Sequence, residues 1–336
     1  MLVTWPAGRG PGGMPIPTPA TVGEVVTAWL NAKSSRISPS TVSRYRVALR
    51  HILPAIGTIP VAEVRAGDIE DLYEALVRRG LSGSSIRKVH WALRQSLAWA
   101  QRRGLVTSRV TDGVEMPPLG ERPLQPPRST DVSRLVTHAL EFDPDFGLLI
   151  AFLAWTGARR GEACGLRWSD LDLAAESVLI ERSIVAVPGG VLEKGTKTGR
   201  ARRIALGPTT ATLLRQHREA CRQAAVHHGR DFDPESLVFS RDPLGRTAWH
   251  PSTISHRFVA ACAAADVPPM RLHDLRHHSA TALLKRGISV GEVMDRHGWR
   301  DLTMVSRYRH LTEATDRAAA VALETSAPAS DVPLTL

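Results

Sequence analysis

Cysteine is scarce: Cys164, Cys221 and Cys262 are the only three in 336 residues, too few, too scattered and odd in number for a disulfide framework. No C-x-x-C pair occurs, which argues against a thiolate zinc site and fits a reducing compartment. Long hydrophobic runs are also lacking. The longest, residues 148–155, falls far below the ~20 residues that cross a bilayer. Residues 1–20 have no apolar stretch of signal-peptide length; they are rich in Gly and Pro and read as a disordered leader, with Met14 as an alternative start. Tyrosine is rare, with only Tyr45, Tyr73 and Tyr308. Acidic residues are absent from two long stretches, 34–62 and 82–103. A phosphate-cradling glycine loop, a paired-carboxylate cluster and a Cys/His constellation are all missing, so neither nucleotide nor metal is expected as a cofactor. No internal repeat is visible.

What remains is the composition of a globular chain. Hydrophobic residues make up 43%, and the length accommodates two domains. The net charge of +10 points to a polyanionic partner, nucleic acid before anionic lipid.

Helical signals dominate the first third. Thr21 and Glu24 form a capping box, and Val22, Val25, Val26, Trp29 and Leu30 then recur at helical spacing. Ser38-Pro39 opens a second helix carrying Arg44, Arg46 and Arg50, expected to end before Pro54. A third, near 68–79, is acidic on one side. A fourth, over 82–103, sets the stripe Ile86, Val89, Leu93, Leu97 and Ala100 beside Arg87, Lys88 and Arg94. Residues 113–129 hold five prolines and read as an extended linker. Helices are expected next over 131–141 and 145–156, with Gly157 ending the latter. Residues 177–183 alternate like a strand, the P-G-G at 188–190 turns it, and 201–206 returns. Helices over 209–228 and 251–265 flank a short L-V-F strand at 237–239. A last helix is expected over 312–324.

The chemistry-bearing stretch runs from Arg271 to His310. His273 and Arg276 lie three apart, one helical turn from each other. A guanidinium clamps anionic oxygens through two parallel hydrogen bonds, and an imidazole moves protons, so the pair suits a phosphate. Tyr308 sits between Arg307 and Arg309. Nearby positive charge favours the phenolate, which is a nucleophile.

These residues are ordered as in the tyrosine recombinases, or phage integrases, which the chain resembles from about Thr21 to Thr312. His273, Leu275, Arg276 and His277 fill the H-x-L-R-H box, Gly298-Trp299 follows, and Tyr308 stands nine residues beyond Trp299. T-G-A-R-R-G-E, at 156–162, supplies Arg159 and Glu162. T-K-T-G-R-A-R-R-I-A-L, at 196–206, supplies Lys197, preferred over Lys194 because its distance to Ile204 and Leu206 matches the family's hairpin. Trp299 replaces the family's commoner His, and His278 stands where a Thr often follows the box.

The resemblance implies a mainly α fold with a small β-hairpin sheet, arranged as a two-domain DNA clamp. Its parts would be a leader (1–20), a SAM-like helical core-binding domain (21–112), the linker (113–129), a tyrosine-recombinase catalytic domain (130–325) and a disordered tail (326–336). It implies that Arg159 and Arg276 bind the scissile phosphate, Tyr308 attacks it, Lys197 protonates the leaving oxygen, His273 takes the tyrosyl proton and Trp299 donates its indole N–H. Glu162 would hold a neighbouring Arg or a box histidine. Arg44, Arg46, Arg50, Arg87, Lys88 and Arg94 would grip the duplex, with no metal and no cofactor.

The expected partners are double-stranded attachment or core-site DNA, a homotetramer on that DNA and an accessory directionality factor, in the cytoplasm at the nucleoid, with no membrane. The small β-rich arm-binding domain that many integrases carry ahead of the first helix is not seen in this sequence, so the expectation is either a simpler recombinase acting on short core sites or a start that is misassigned or degraded. The alternatives are a chromosome-dimer-resolving recombinase, a non-cleaving DNA-binding relic and, more distantly, a type IB topoisomerase.

Overall fold

The computed structural model describes residues 20–118, 125–187, 189–195 and 201–301. It divides into two compact units, 1–123 and 124–336.

The described residues of the first unit form four α-helices: α1 (Val22–Ser34), α2 (Pro39–Ile56), α3 (Ala66–Arg78) and α4 (Gly83–Gln101). The start of α1 is fixed reciprocally, because Glu24 accepts from the Thr21 backbone N–H at 2.8 Å while the Thr21 hydroxyl accepts from the Glu24 N–H at 3.3 Å. All five apolar residues expected on its inner face are buried. So is the entire stripe of α4, from Ile86 to Ala100. The helix α2 does not stop before Pro54 but continues to Ile56. A proline this close to a C-terminus removes one backbone bond, and burial of Ile52 and Ile56 outweighs that loss. Two of the three tyrosines belong to this core. Tyr45 packs edge-on against Trp29 at 4.8 Å. Tyr73 is 1% exposed and bonded through its hydroxyl to His90 Nδ1 at 2.8 Å.

The second unit is built on α5 (Ser129–Phe142) and α6 (Pro144–Thr156). Asp143 caps α6 by accepting from the Phe146 N–H at 3.3 Å, and Pro144 occupies its first turn. The apolar run of the sequence is this helix, buried along nearly its whole length. Such all-round apolarity marks a core helix, and among the described residues no helix is long and apolar enough to cross a membrane. Gly147 lets α5 approach, since a Cβ there would lie 2.4 Å from the Leu140 nitrogen.

The short α7 (Arg160–Cys164) leads into β1 (Leu171–Asp172), β2 (Ser177–Ile180), β3 (Arg182–Val187), β4 (Gly190–Gly195) and β5 (Arg202–Ala205). The single strand expected over 177–183 is two. The chain breaks at Glu181, so β2 joins a three-stranded antiparallel sheet in the order β1-β2-β5, and β3 pairs with β4 as a separate hairpin. Residues 237–239 form no strand; Leu237 makes only an isolated bridge to Arg167. Then come α8 (Pro208–His227), α9 (Pro251–Ala264), α10 (Asp274–Lys285) and α11 (Val290–His297). Ala280, Val293 and Trp299 join α10 to α11 in a small core of their own. The helix expected over 312–324 lies outside the described residues.

Candidate active site

Four segments far apart in sequence meet at one place. The first is the end of α6. The Thr156 hydroxyl accepts from the Ala158 N–H at 3.2 Å, and Gly157 takes the left-handed conformation (φ 67°) that closes the helix. A side chain at Gly157 would strike His297, with its Cβ 2.4 Å from Nε2.

Two residues on comes Arg159, in extended conformation immediately before α7. Its guanidinium donates to Glu162 Oε1 at 2.7 Å and to the Gly298 carbonyl at 3.3 Å, while its backbone N–H donates to Glu162 Oε2 at 2.8 Å. Arg160, its neighbour, turns away and bonds Ser255 on α9.

Glu162 is 2% exposed. Burial alone would raise its pKa, but hydrogen bonds and charge from Arg202, and then Arg159, hold it down to about 2. Of the two roles open to it, holding an arginine is the one the geometry has, and it holds two. Arg202, from β5, engages both carboxylate oxygens, Oε2 at 2.7 Å and Oε1 at 3.2 Å, and also donates to the Arg296 carbonyl at 3.0 Å.

Arg276, on the first turn of α10, is 3% exposed. Its two terminal nitrogens donate to the Gly157 and His297 carbonyls, and its guanidinium carbon lies 5.5 Å from the centre of the Trp299 ring. The arginines of the two boxes thus converge on consecutive carbonyls at the end of α11, where Gly298 (φ 61°) turns the chain. Trp299 follows at once, 8% exposed and packed on the His297 ring at 4.9 Å.

His273 sits at the head of α10 rather than within it and reaches solvent. Its ring meets His277 edge-on at 4.9 Å. Neighbouring chain disfavours the imidazolium, and the charges of His277 and Arg276 add to this, lowering its pKa to about 4. At neutral pH it is an uncharged base. His278 holds the Pro127 carbonyl through Nδ1 at 3.2 Å.

Arg159, Glu162, Arg276 and Trp299 therefore come together, and His273 stands at the head of α10, three residues before Arg276 and against His277. Lys197 and Tyr308 lie outside the described residues. Lys194 is on β4, opposite Ser183. Sequence reading missed Arg202, His297 and the steric role of Gly157. Arg202 lay in the quoted hairpin and His297 directly before Gly298-Trp299, but neither type carries a role until its tertiary partners are known. Two arginines around one carboxylate, and a third on fixed carbonyls, hold one another in place through charge-assisted hydrogen bonds. Among the described residues, no group of three metal-ligating side chains exists.

In the first unit, Arg44, Arg46, Arg50, Arg87 and Lys88 are exposed. Arg94 differs. It is half-buried, paired with Asp112 at 3.3 Å and lying over Trp91 at 5.4 Å.

A helical unit followed by an arginine-lined, mainly helical one with small antiparallel sheets is the fold that the resemblance implied. The profile of the phage integrase family matches residues 128–315, and that of the phage integrase N-terminal SAM-like domain matches 21–77. The chain belongs to the phage integrase family, the tyrosine recombinases, which cleave and rejoin DNA by transesterification.

Among its relatives, a putative prophage phiRv2 integrase of Mycobacterium tuberculosis is 27% identical over 90% of this chain and 78% of its own. The tyrosine recombinase XerC of Alcanivorax borkumensis is 27% identical over 83% of this chain and 86% of its own. Among solved structures, the Tn1549 transposon integrase in complex with a circular intermediate DNA shares the fold with a TM-score of 0.74 at 18% identity, covering 90% of this chain and 99% of that one. A lambda integrase dimer bound to a core site gives a TM-score of 0.65 at 18% identity, over 86% and 95%.

Proposed function

We propose that this recombinase is an integrase, inserting and excising a phage genome or another mobile element. The observation that carries the reading is the placement of Arg159 and Arg276 on consecutive carbonyls, Gly298 and His297. Fixed donors of this kind stabilise charge that builds on the non-bridging oxygens of a phosphodiester in its pentacoordinate transition state. Trp299 adds its indole N–H to the same phosphate.

Tyr308 is the nucleophile. Its oxygen forms a bond to phosphorus as the bond to the 5′-oxygen breaks, leaving a 3′-phosphotyrosyl link and a free 5′-hydroxyl. Lys197 gives its proton to the leaving oxygen, and His273, neutral at pH 7, takes the tyrosyl proton. Tyr45 and Tyr73 are packed in the core of the first unit, which leaves Tyr308 for the chemistry. The covalent link conserves the phosphodiester's energy for rejoining, so no cofactor is required.

The domain assignment is a core-binding domain over 21–112, a linker over 113–129 and a catalytic domain over 130–325. The first gives Arg44, Arg46, Arg50, Arg87 and Lys88 to phosphates; Arg94 does so less directly, being paired with Asp112. Lambda integrase has been solved as a tetramer bound to a Holliday junction, and the same assembly on core-site DNA is assigned here, in the cytoplasm, with an accessory factor setting direction.

The test is covalent trapping in the native host. Wild type and Tyr308→Phe are expressed, reactions are stopped with detergent, and DNA ends still bound to protein are sequenced. Adducts at one locus, lost in the Phe variant, are expected. A locus flanking a mobile element supports the integrase. A lone chromosomal locus would support the dimer-resolving alternative, scattered adducts a topoisomerase, and adducts that survive in the Phe variant would overturn Tyr308.

A further inference from the structure

We infer that Arg202 is a positioning residue for strand cleavage: it neutralises Glu162 and thereby leaves the positive charge of Arg159 free for the scissile phosphate. The inference rests on the reading of Arg159 as a phosphate ligand.

The argument begins with Glu162. A carboxylate this deeply buried has to be paired, and the strongest pairing available is a bidentate fork from an arginine. Two arginines reach it, and they do so unequally. Arg202 gives it two guanidinium nitrogens and is itself 10% exposed in its side chain. Arg159 gives one guanidinium nitrogen and its backbone N–H, and its side chain is 26% exposed. The buried arginine takes the carboxylate, and the open one is only steadied by it. The trio carries one net positive charge, and that charge sits on the guanidinium that faces solvent.

Without Arg202, Arg159 would be the only cation on Glu162. Its fork would fold onto both oxygens, and the pair would be neutral where an anion has to bind. Arg202 has a second attachment that fits this role. It donates to the Arg296 carbonyl, one residue before the His297 carbonyl that Arg276 uses, and its Cδ packs 3.3 Å from where a Cβ on Gly298 would be. One side chain thus sets the Glu162–Arg159 pair and the end of α11 against each other. It lies five residues after Lys197 in the chain, so β5 links the hairpin expected to hold the general acid to the phosphate-holding arginines.

The experiment uses the full chain and needs no knowledge of its DNA site. The probe is inorganic phosphate, and the readout is the rise in Tm with phosphate concentration, set against equal ionic strength of chloride. Wild type, Arg159→Ala, Arg202→Met, Arg202→Lys, Glu162→Gln and the double variant Arg202→Met/Glu162→Gln are compared. Arg202→Met is expected to weaken the apparent phosphate affinity about ten-fold, and Arg202→Lys less, because the charge stays but the fork is lost. The double variant is expected to return to within about three-fold of wild type, since removing the carboxylate frees Arg159 again. On the DNA recovered by trapping, adduct formation should follow the same order.

A merely structural Arg202 would give additive losses with no rescue, which overturns the inference. Wild-type phosphate response in Arg202→Met, while Arg159→Ala has lost it, would also overturn it. A wild-type response in Arg159→Ala would instead remove the reading of Arg159 on which all this rests. If Arg202→Met fails to fold, as circular dichroism would reveal, the charge-balanced double variant and Arg202→Lys decide: the inference stands if the first binds phosphate like wild type and the second binds it more weakly, and falls otherwise.

Discussion

The guanidinium of Arg159 donates to the carbonyl of Gly298, and that of Arg276 to the carbonyl of His297, so the two arginines end on consecutive peptide groups. This shared anchor fixes their spacing more tightly than side-chain packing would, because a planar fork on a carbonyl has little freedom. Arg276→Lys is therefore expected to keep the charge and lose the geometry. An ammonium is a point donor that cannot span the Gly157 and His297 carbonyls at once. Single-turnover adduct formation should fall about 10²–10³-fold, the scale of one preorganised donor, while affinity for the recovered site changes little. Equal losses in both would mean that Arg276 acts in binding rather than in the transition state.

Gly157→Ala should be among the most damaging small substitutions in the second unit. The residue has φ 67°, and a Cβ would sit 2.4 Å from His297 Nε2 and 3.0 Å from the Ser279 hydroxyl. Backbone strain and overpacking together are expected to remove about 2 kcal/mol or more. Denaturant unfolding measures this. A loss below about 0.5 kcal/mol would show that the ring can move aside.

Acid should weaken the fold earlier than carboxylate titration alone would. Burial, and then the charge of Arg276, lowers the pKa of His297 from 6.5 to about 3, while its Nδ1 bonds the Val293 carbonyl at 2.9 Å. Between those values the unfolded chain takes up a proton there that the folded chain refuses. Stability is thus full above about 6.5 and declines as pH falls toward 3. His297→Asn, which keeps a donor for Val293, should flatten that slope. An unchanged slope would assign the acid loss to other groups, such as His273.

Alkali should act through a different histidine. His217 Nδ1 faces Asp145 Oδ1 at 3.3 Å and Nε2 faces the Val238 carbonyl at 2.9 Å, so both nitrogens have acceptors. Burial would lower its pKa, but Asp145, Cys221 and that carbonyl raise it to about 10. The sign is the reverse of His297. The stabilisation is complete below 6.5 and is lost as pH rises toward 10. Asp145→Asn should remove most of this alkaline loss in unfolding measured across that window. A wild-type slope in the variant would place the proton elsewhere.

Much of the fold was legible because its helices carry their own instructions. The capped start at Thr21 and the stripes of α1 and α4 needed no tertiary knowledge. Pro54 misled because a breaker near a helix end is overridden by the buried Ile56 beyond it. The strand over 177–183 misled because alternation does not reveal that Glu181 hands the chain from one sheet to another. In the site, Arg159, Glu162, His273, Arg276 and Trp299 were picked out by the boxes of the family that the sequence resembles. Arg202 was not: an arginine on a short strand looks like any exposed cation until β5 pairs with β2 and turns it toward Glu162. His297 was silent for a similar reason, since its neighbours come from α6 and α10.

The carbonyls engaged by Arg276 belong to residues 157 and 297, on opposite sides of it in sequence. No stretch of the chain that stops short of spanning residues 157–298 can hold this geometry. A polypeptide emerging from the ribosome carries Arg159 long before it carries Gly298, and Arg276 finds its second anchor only once the end of α11 has docked. The longest-range contacts of a domain form against the greatest loop-closure entropy, so the cutting centre is completed late. Fragments cut or terminated between residues 157 and 298 would lack it, and a genome is thereby spared random nicks from such an unfinished recombinase.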